Sequence, residues 1–231
     1  MHYAAPFIEI LDSARLNFLR RSHKAVGEFD WNWTSTNFNR IAITSLLVSK
    51  FPDANYLEIG CAQNALFDSV PTKRKTGVDP VSGGTVRDTS DNFFIKNTDT
   101  FDVVFIDGLH TYSQVRNDVI NSISATNENG YILLHDMLPS NWIEASVPPV
   151  SKGAWTGDVW KVAFEIVQTP GLEFRIIAVD HGVGVIKVKD RSAVLANLGS
   201  QLSSAEFSFL KENIEKLPII TVEQAWTWLE S

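Results

Sequence analysis

The 231-residue sequence has a single cysteine, Cys61. An intrachain disulfide and a thiolate zinc cluster are therefore excluded, since both need several thiols. Basic residues are outnumbered by acidic ones, 20 against 27, for a net charge of −7, and Lys73-Arg74-Lys75 is a short basic run. A surface that tracks nucleic-acid phosphates is not expected, because that mode of binding rests on neutralising the backbone. No segment approaches the roughly 18 uninterrupted apolar residues of a membrane span. The start, Met1-His2-Tyr3-Ala4-Ala5-Pro6, lacks the basic and apolar stretches of a secretory signal, so a cytoplasmic location is expected. Glycine is also scarce where a dinucleotide fold needs it: Gly60-Cys61-Ala62-Gln63-Asn64 has one glycine in place of three,.

What is present is the alternation of an α/β protein. Apolar residues recur at helical spacing from Phe7 to Leu19 and again from Ile41 to Phe51, which predicts two helices before the first strand. Asp30-Trp31-Asn32-Trp33-Thr34-Ser35-Thr36-Asn37 lies between them, and the second helix is expected to start near Ser35 or Thr36,. From residue 55 short apolar runs alternate with helical stretches, the signature of a mostly parallel sheet. Strands are expected near 55–59, 75–79, 84–88, 101–106 and 130–135, with helices near 63–70, 91–97 and 111–125. A helix near 158–168 then leads into Glu173–Val179 and Gly182–Val188, joined by the hairpin-like Asp180-His181-Gly182,. The fold class that results is a Rossmann-like seven-stranded, mostly parallel sheet with an antiparallel C-terminal hairpin and helices on both faces. We expect one domain over 1–231, with an N-terminal helical extension (1–52), a core (53–190) and a helical tail (191–231).

In open α/β sheets ligands lie outside the carboxyl ends of the strands, where strand order reverses. Glu58 with Gly60, Asp79 and Asp107 stand at such ends. Gly60 permits a tight turn and close backbone approach, and Asp79, 19 residues on, is placed to accept hydrogen bonds from ribose hydroxyls,. By themselves these features indicate a nucleoside ligand without choosing which one.

The longer pattern is more specific. Phe105-Ile106-Asp107-Gly108-Leu109-His110 closes one strand, and Leu134-His135-Asp136-Met137-Leu138-Pro139 closes the next. Ser90-Asp91-Asn92-Phe93-Phe94 precedes them and Trp155-Thr156-Gly157-Asp158-Val159-Trp160-Lys161 follows. Over roughly residues 55–190 this series resembles the class I S-adenosylmethionine-dependent methyltransferases whose strand ends read FIDGxH and HDxxP. The resemblance implies that Glu58, Gly60, Cys61 and Ala62 face the methionine part of the cofactor, Asp79 the ribose, and Asp88, Ser90 and Asp91 the adenine edge. Asp107 begins the loop facing the transferring methyl. In metal-dependent relatives acidic residues at these strand ends bind a divalent cation, which makes Asp107 and Asp136 candidates for Mg²⁺, although Met137 stands where a further ligand would follow.

Methyl transfer is an in-line displacement, so the protein must chiefly align donor and acceptor. An acceptor hydroxyl gains from a base, and an imidazole titrates in the right range. His110, directly after its strand, is the candidate base, with Asp107 beside it. His135 reads as structural. Asp158, Trp160 and Lys161 are equally readable as acceptor contacts or as a helix cap with its packing. The expected activity is methyl transfer to a hydroxyl of a small molecule or saccharide. An NAD(P)-dependent oxidoreductase and a non-catalytic nucleoside-binding module are the alternatives.

Overall fold

The computed structural model describes residues 5–22, 26–33 and 38–230. Seven strands form one sheet: β1 (Asn55–Ile59), β2 (Arg74–Val78), β3 (Phe101–Ile106), β4 (Thr126–Leu134), β5 (Leu172–Ile177), β6 (Val183–Val188) and β7 (Ile219–Ile220). Their order is β2-β1-β3-β4-β6-β5-β7. β1 pairs in parallel with β2 and β3, and β3 with β4. β6 runs antiparallel between β4 and β5, and β7 joins β5 in parallel. The expected fold class is the one adopted. The helices are α1 (Ala5–Ser22), α2 (Arg40–Val48), α3 (Ala65–Ser69), α4 (Ser90–Lys96), α5 (Tyr112–Ala125), α6 (Lys161–Val167), α7 (Gly199–Leu202), α8 (Phe207–Asn213) and α9 (Val222–Glu230).

The central strands read as continuous apolar runs because both faces of the sheet are covered. Alternate residues go to opposite sides. Leu57, Ile59, Val104, Ile106, Ile132 and Leu134 pack with Val115, Val119 and Ile123 of α5 and Val162 and Ile166 of α6. Tyr56, Val103, Phe105, Tyr131 and Leu133 meet Ile43 and Leu47 of α2, Leu66 and Phe67 of α3, and Leu229 of α9. Each such fully buried side chain contributes about 1.5–3 kcal/mol of transfer free energy. Glu58 shares the second face with Tyr56, and this sets a carboxylate inside an apolar layer.

Three expectations need revision. No strand forms over 84–88. That stretch makes a single bridge, Val78 to Val86, because the turn through Ser82-Gly83-Gly84 folds it back onto Gly77, whose carbonyl accepts from the N–H groups of Thr85 and Val86. The seventh strand comes instead from the tail, where helices alone were expected, as Ile219–Ile220 adds to the β5 edge. Finally, α2 begins at Arg40, where the Asn39 side chain accepts from the N–H groups of Ile41 and Ala42 at 3.0 and 3.3 Å. Ser35 and Thr36, the expected start, lie outside the described residues, as does the start Met1–Ala4.

Candidate active site

Strand order reverses between β1 and β3, and in open α/β sheets ligands lie outside the strand ends at such a point. Gly60 and Asp107 meet there. Gly60 has φ +85°, and a Cβ at this position would lie 2.2 Å from the Asp107 carbonyl oxygen. The two exit loops touch backbone to backbone, which only glycine allows. Next to this contact Gly108 is open: an added Cβ would meet nothing nearer than Ile59 Cγ2, at 3.5 Å. A ligand can therefore approach the backbone closely at this point.

Asp79 follows β2, as expected, but its carboxylate is already engaged. Oδ2 accepts from the N–H groups of Cys61 and Ala62, both at 3.0 Å, and Oδ1 from those of Val81 and Ser82, both at 2.8 Å. Burial raises its pKa, yet the four N–H donors outweigh that and hold it below the ordinary carboxylate value. Asp79 thus ties together the loops after β1 and β2. Glu58 is buried, accepts from the Tyr56 hydroxyl, and is pushed up to about 7 chiefly by burial, against the Tyr56 hydrogen bond and with Asp107 adding to the rise.

The sequence-derived pair Asp107 and Asp136 comes together around His110. His110 Nε2 lies 3.3 Å from Asp107 Oδ1, and Nδ1 lies 3.2 Å from Asp136 Oδ2 and 3.1 Å from the Trp155 carbonyl oxygen. One donor atom from each of Asp107, His110 and Asp136 falls within 4.8 Å of the others, a spacing that a single cation can span. Burial favours neutral His110, but Asp107, Asp136 and the Trp155 carbonyl prevail and raise its pKa. Asp107 is driven well below the carboxylate range: the two histidines overcome the opposing effect of burial.

The cluster extends further than the sequence indicated. His135 Nδ1 reaches Asp107 at 3.3 Å and Asp136 at 3.4 Å, and its Nε2 lies 3.5 Å from Asp180 Oδ1. Asp180 also accepts from Arg40 Nη1 at 2.8 Å and from the Arg40 backbone N–H at 3.1 Å. Asp180 read only as part of a hairpin turn. Two antiparallel pairings make β5 parallel to β4, so the β5–β6 turn returns to the edge where β3 and β4 end. That topological argument was the signal available. Arg40 carried none, being the first residue of a helix with no motif.

The remaining expected residues lie apart from this cluster. Asp88 is held locally by the Thr89 N–H, Asn92 and Lys96. Ser90 and Asp91 both accept from Gln114 Nε2, at 3.2 and 3.1 Å, which ties the start of α4 to α5. Asp158 accepts from the Tyr112 N–H at 2.6 Å and pairs with Lys161 at 2.9 Å. Asp158, Trp160 and Lys161 line a cavity of about 570 Å³ together with Val26, Trp142 and Phe207.

Comparison with known proteins bears on what this arrangement is. Residues 45–137 match the family described as Methyltransferase domain. Among solved structures, cofactor-bound Rv0187 from MTB is 14% identical at a TM-score of 0.52, over 80% of this chain and 96% of that one. The O-methyltransferase from Bacillus cereus in complex with SAH is 14% identical at a TM-score of 0.50, over 77% and 91%. The chain spans 46% of the length of the MycE methyltransferase from the mycinamycin biosynthetic pathway, at 17% identity, 61% coverage of this chain and a TM-score of 0.40. No curated protein matches the sequence. The match over residues 45–137 and the shared fold support a class I, S-adenosylmethionine-dependent methyltransferase. Among the described residues no helix is long and apolar enough to cross a membrane.

Proposed function

We propose that the protein transfers the methyl group of S-adenosylmethionine to a hydroxyl of a small molecule, a saccharide included, with His110 as the base and Asp107 and Asp136 as ligands for Mg²⁺. The observation that carries this reading is His110 standing between two carboxylates, one at each of two adjacent strand ends. An amine acceptor needs no such apparatus, since it has only to be neutral, whereas a hydroxyl must lose a proton as the bond forms.

The residues present fit the cofactor. The glycine contact at Gly60 and the open backbone at Gly108 leave room for a ligand chain at the switch point. One glycine suffices because a sulfonium nucleoside has no diphosphate to cradle. Glu58, Gly60, Cys61 and Ala62 take the methionine end, Asp79 shares its carboxylate with the ribose, and Asp88, Ser90 and Asp91 border the adenine. Bound there, the cofactor supplies an electrophilic methyl. Its alignment and the exclusion of water are left to the chain.

The donor set also fits a divalent cation. Two carboxylates suit Mg²⁺, which keeps several waters and needs few protein groups. Asp107 and Asp136 would hold such a cation, which would lower the pKa of an acceptor hydroxyl beside it. His110 accepts the acceptor's proton. The Trp155 ring, stacked on the imidazole at 5.2 Å and 27°, limits how that imidazole can turn.

Release of S-adenosylhomocysteine in a screen of hydroxylated acceptors, run with and without Mg²⁺, tests this reading. Turnover with a hydroxyl acceptor that disappears in His110→Ala supports it. Calorimetry that detects NADH binding and no S-adenosylhomocysteine binding would overturn it.

A further inference from the structure

Arg40 has donors to spare at the edge of the site. Its side chain is 31% exposed, and Nη1 alone of its three nitrogens is engaged, by both oxygens of Asp180 and in contact with His135 Nε2 at 3.5 Å. Nε and Nη2 form no hydrogen bond with any described residue. A guanidinium presents its N–H groups in a planar fork that matches a carboxylate, and it stays charged throughout the accessible pH range. This one is also held in place. Asp180 takes both its Nη1 and its backbone N–H, at the first turn of a helix capped by Asn39, so little rotamer freedom is left to lose on binding.

The surrounding charges indicate which ligand group belongs there. The groups facing Arg40 are acidic or already paired: Asp180 directly, Asp107 and Asp136 at longer range, and Glu58, whose pKa Arg40 pulls down. These suit the ammonium and the sulfonium of an S-adenosylmethionine bound over β1. The methionine carboxylate requires the opposite partner. Arg87, a second arginine at this edge, lies beyond β2 and spends Nη1 and Nη2 on the carbonyls of Asp79 and Gly83.

We infer that Arg40 binds the α-carboxylate of the methionine end of the cofactor through its uncommitted Nε and Nη2 donors, with Asp180 as the residue that positions it. The inference rests on the cofactor reading above and adds a residue that neither the motifs nor the family match supplies.

Two ligands that differ in that one end provide the test. S-adenosylhomocysteine carries the amino-acid carboxylate and 5′-methylthioadenosine does not. Calorimetry on the full chain, without acceptor, is expected to show Arg40→Ala weakening S-adenosylhomocysteine by about 10- to 100-fold, the loss of a charge-assisted pair, while methylthioadenosine binds within about twofold of wild type. Arg40→Lys, which keeps the charge and loses the fork, should fall between the two. Methylthioadenosine binding also reports that each variant remains folded. An equal loss for both ligands would make Arg40 a structural clamp and overturn the inference, as would unchanged S-adenosylhomocysteine binding. A wild type that binds neither ligand refutes the cofactor reading itself, and the inference with it.

Discussion

The His110 imidazole lies against the Trp155 indole, ring centroids 5.2 Å apart, while its Nδ1 faces the carbonyl oxygen of the same residue at 3.1 Å. One residue thus sets both the plane of the imidazole and its hydrogen-bonding partner. Both ring nitrogens face groups that only accept: Nδ1 the Trp155 carbonyl and Asp136, Nε2 the Asp107 carboxylate,.

From that geometry, His110→Ala should lower kcat by about 10²- to 10⁴-fold, the usual contribution of a positioned base. S-adenosylhomocysteine affinity should stay within about twofold. Steady-state kinetics paired with calorimetry would show it. A variant with unchanged kcat removes His110 from the reaction.

Asp107 and Asp136 are expected to make the activity depend on a divalent cation. Treatment with a chelator should take turnover below about a tenth and added Mg²⁺ should restore it, with Asp136→Asn requiring more Mg²⁺ for half-maximal rate. Full activity in excess chelator would show that the two carboxylates serve His110 and His135 alone.

Asp118 offers a stability test away from the chemistry. It is buried, with Oδ2 lacking a partner among the described residues and Oδ1 accepting from Gln114 at 3.2 Å. Burial lifts its pKa from 3.8 to about 6, over the opposing effect of hydrogen bonds from Ser90 and Gln114. The folded state then holds the proton more tightly than the unfolded chain. The stabilisation is complete below about pH 4 and is lost as pH rises through about 6. Asp118→Asn should flatten the denaturation midpoint across that window and gain up to about 3 kcal/mol over wild type at pH 8. Parallel pH profiles in both proteins would contradict the assignment.

Gly60→Ala should be costly wherever activity is measured. The added Cβ has a backbone oxygen 2.2 Å away and a φ of +85° to adopt. Separating the exit loops of β1 and β3 should cost more than about 2 kcal/mol in urea unfolding, and S-adenosylhomocysteine binding should fall with it. A fully stable variant would mean that the loops move apart freely.

Much of this site was legible in the sequence because strand ends leave a local mark. An apolar run that stops at Ile59-Gly60, Ile106-Asp107 or Leu134-His135-Asp136 names its own last residue, and parallel strands place those ends on one edge. A strand was expected over 84–88, but the Gly83-Gly84 turn folds these residues back onto Gly77 and leaves one bridge. Two-residue β7 is too short for any periodicity, so the β5 edge alone makes it a strand.

The sequence by itself determined most of the sheet, its closing hairpin and the carboxylates at the strand ends, each written in hydrophobic period and turn residues over a dozen positions or fewer, and its longer motif series resembles a family that uses S-adenosylmethionine. Only the tertiary structure decided how those groups are engaged. Asp79 closes two loops with four N–H bonds, His110 is divided between two carboxylates, and Arg40 and Asp180 meet across 140 residues. Contacts of that separation follow from strand order and helix packing, which leave no local pattern, and they fix which donors at the site are already spent and which remain for a ligand.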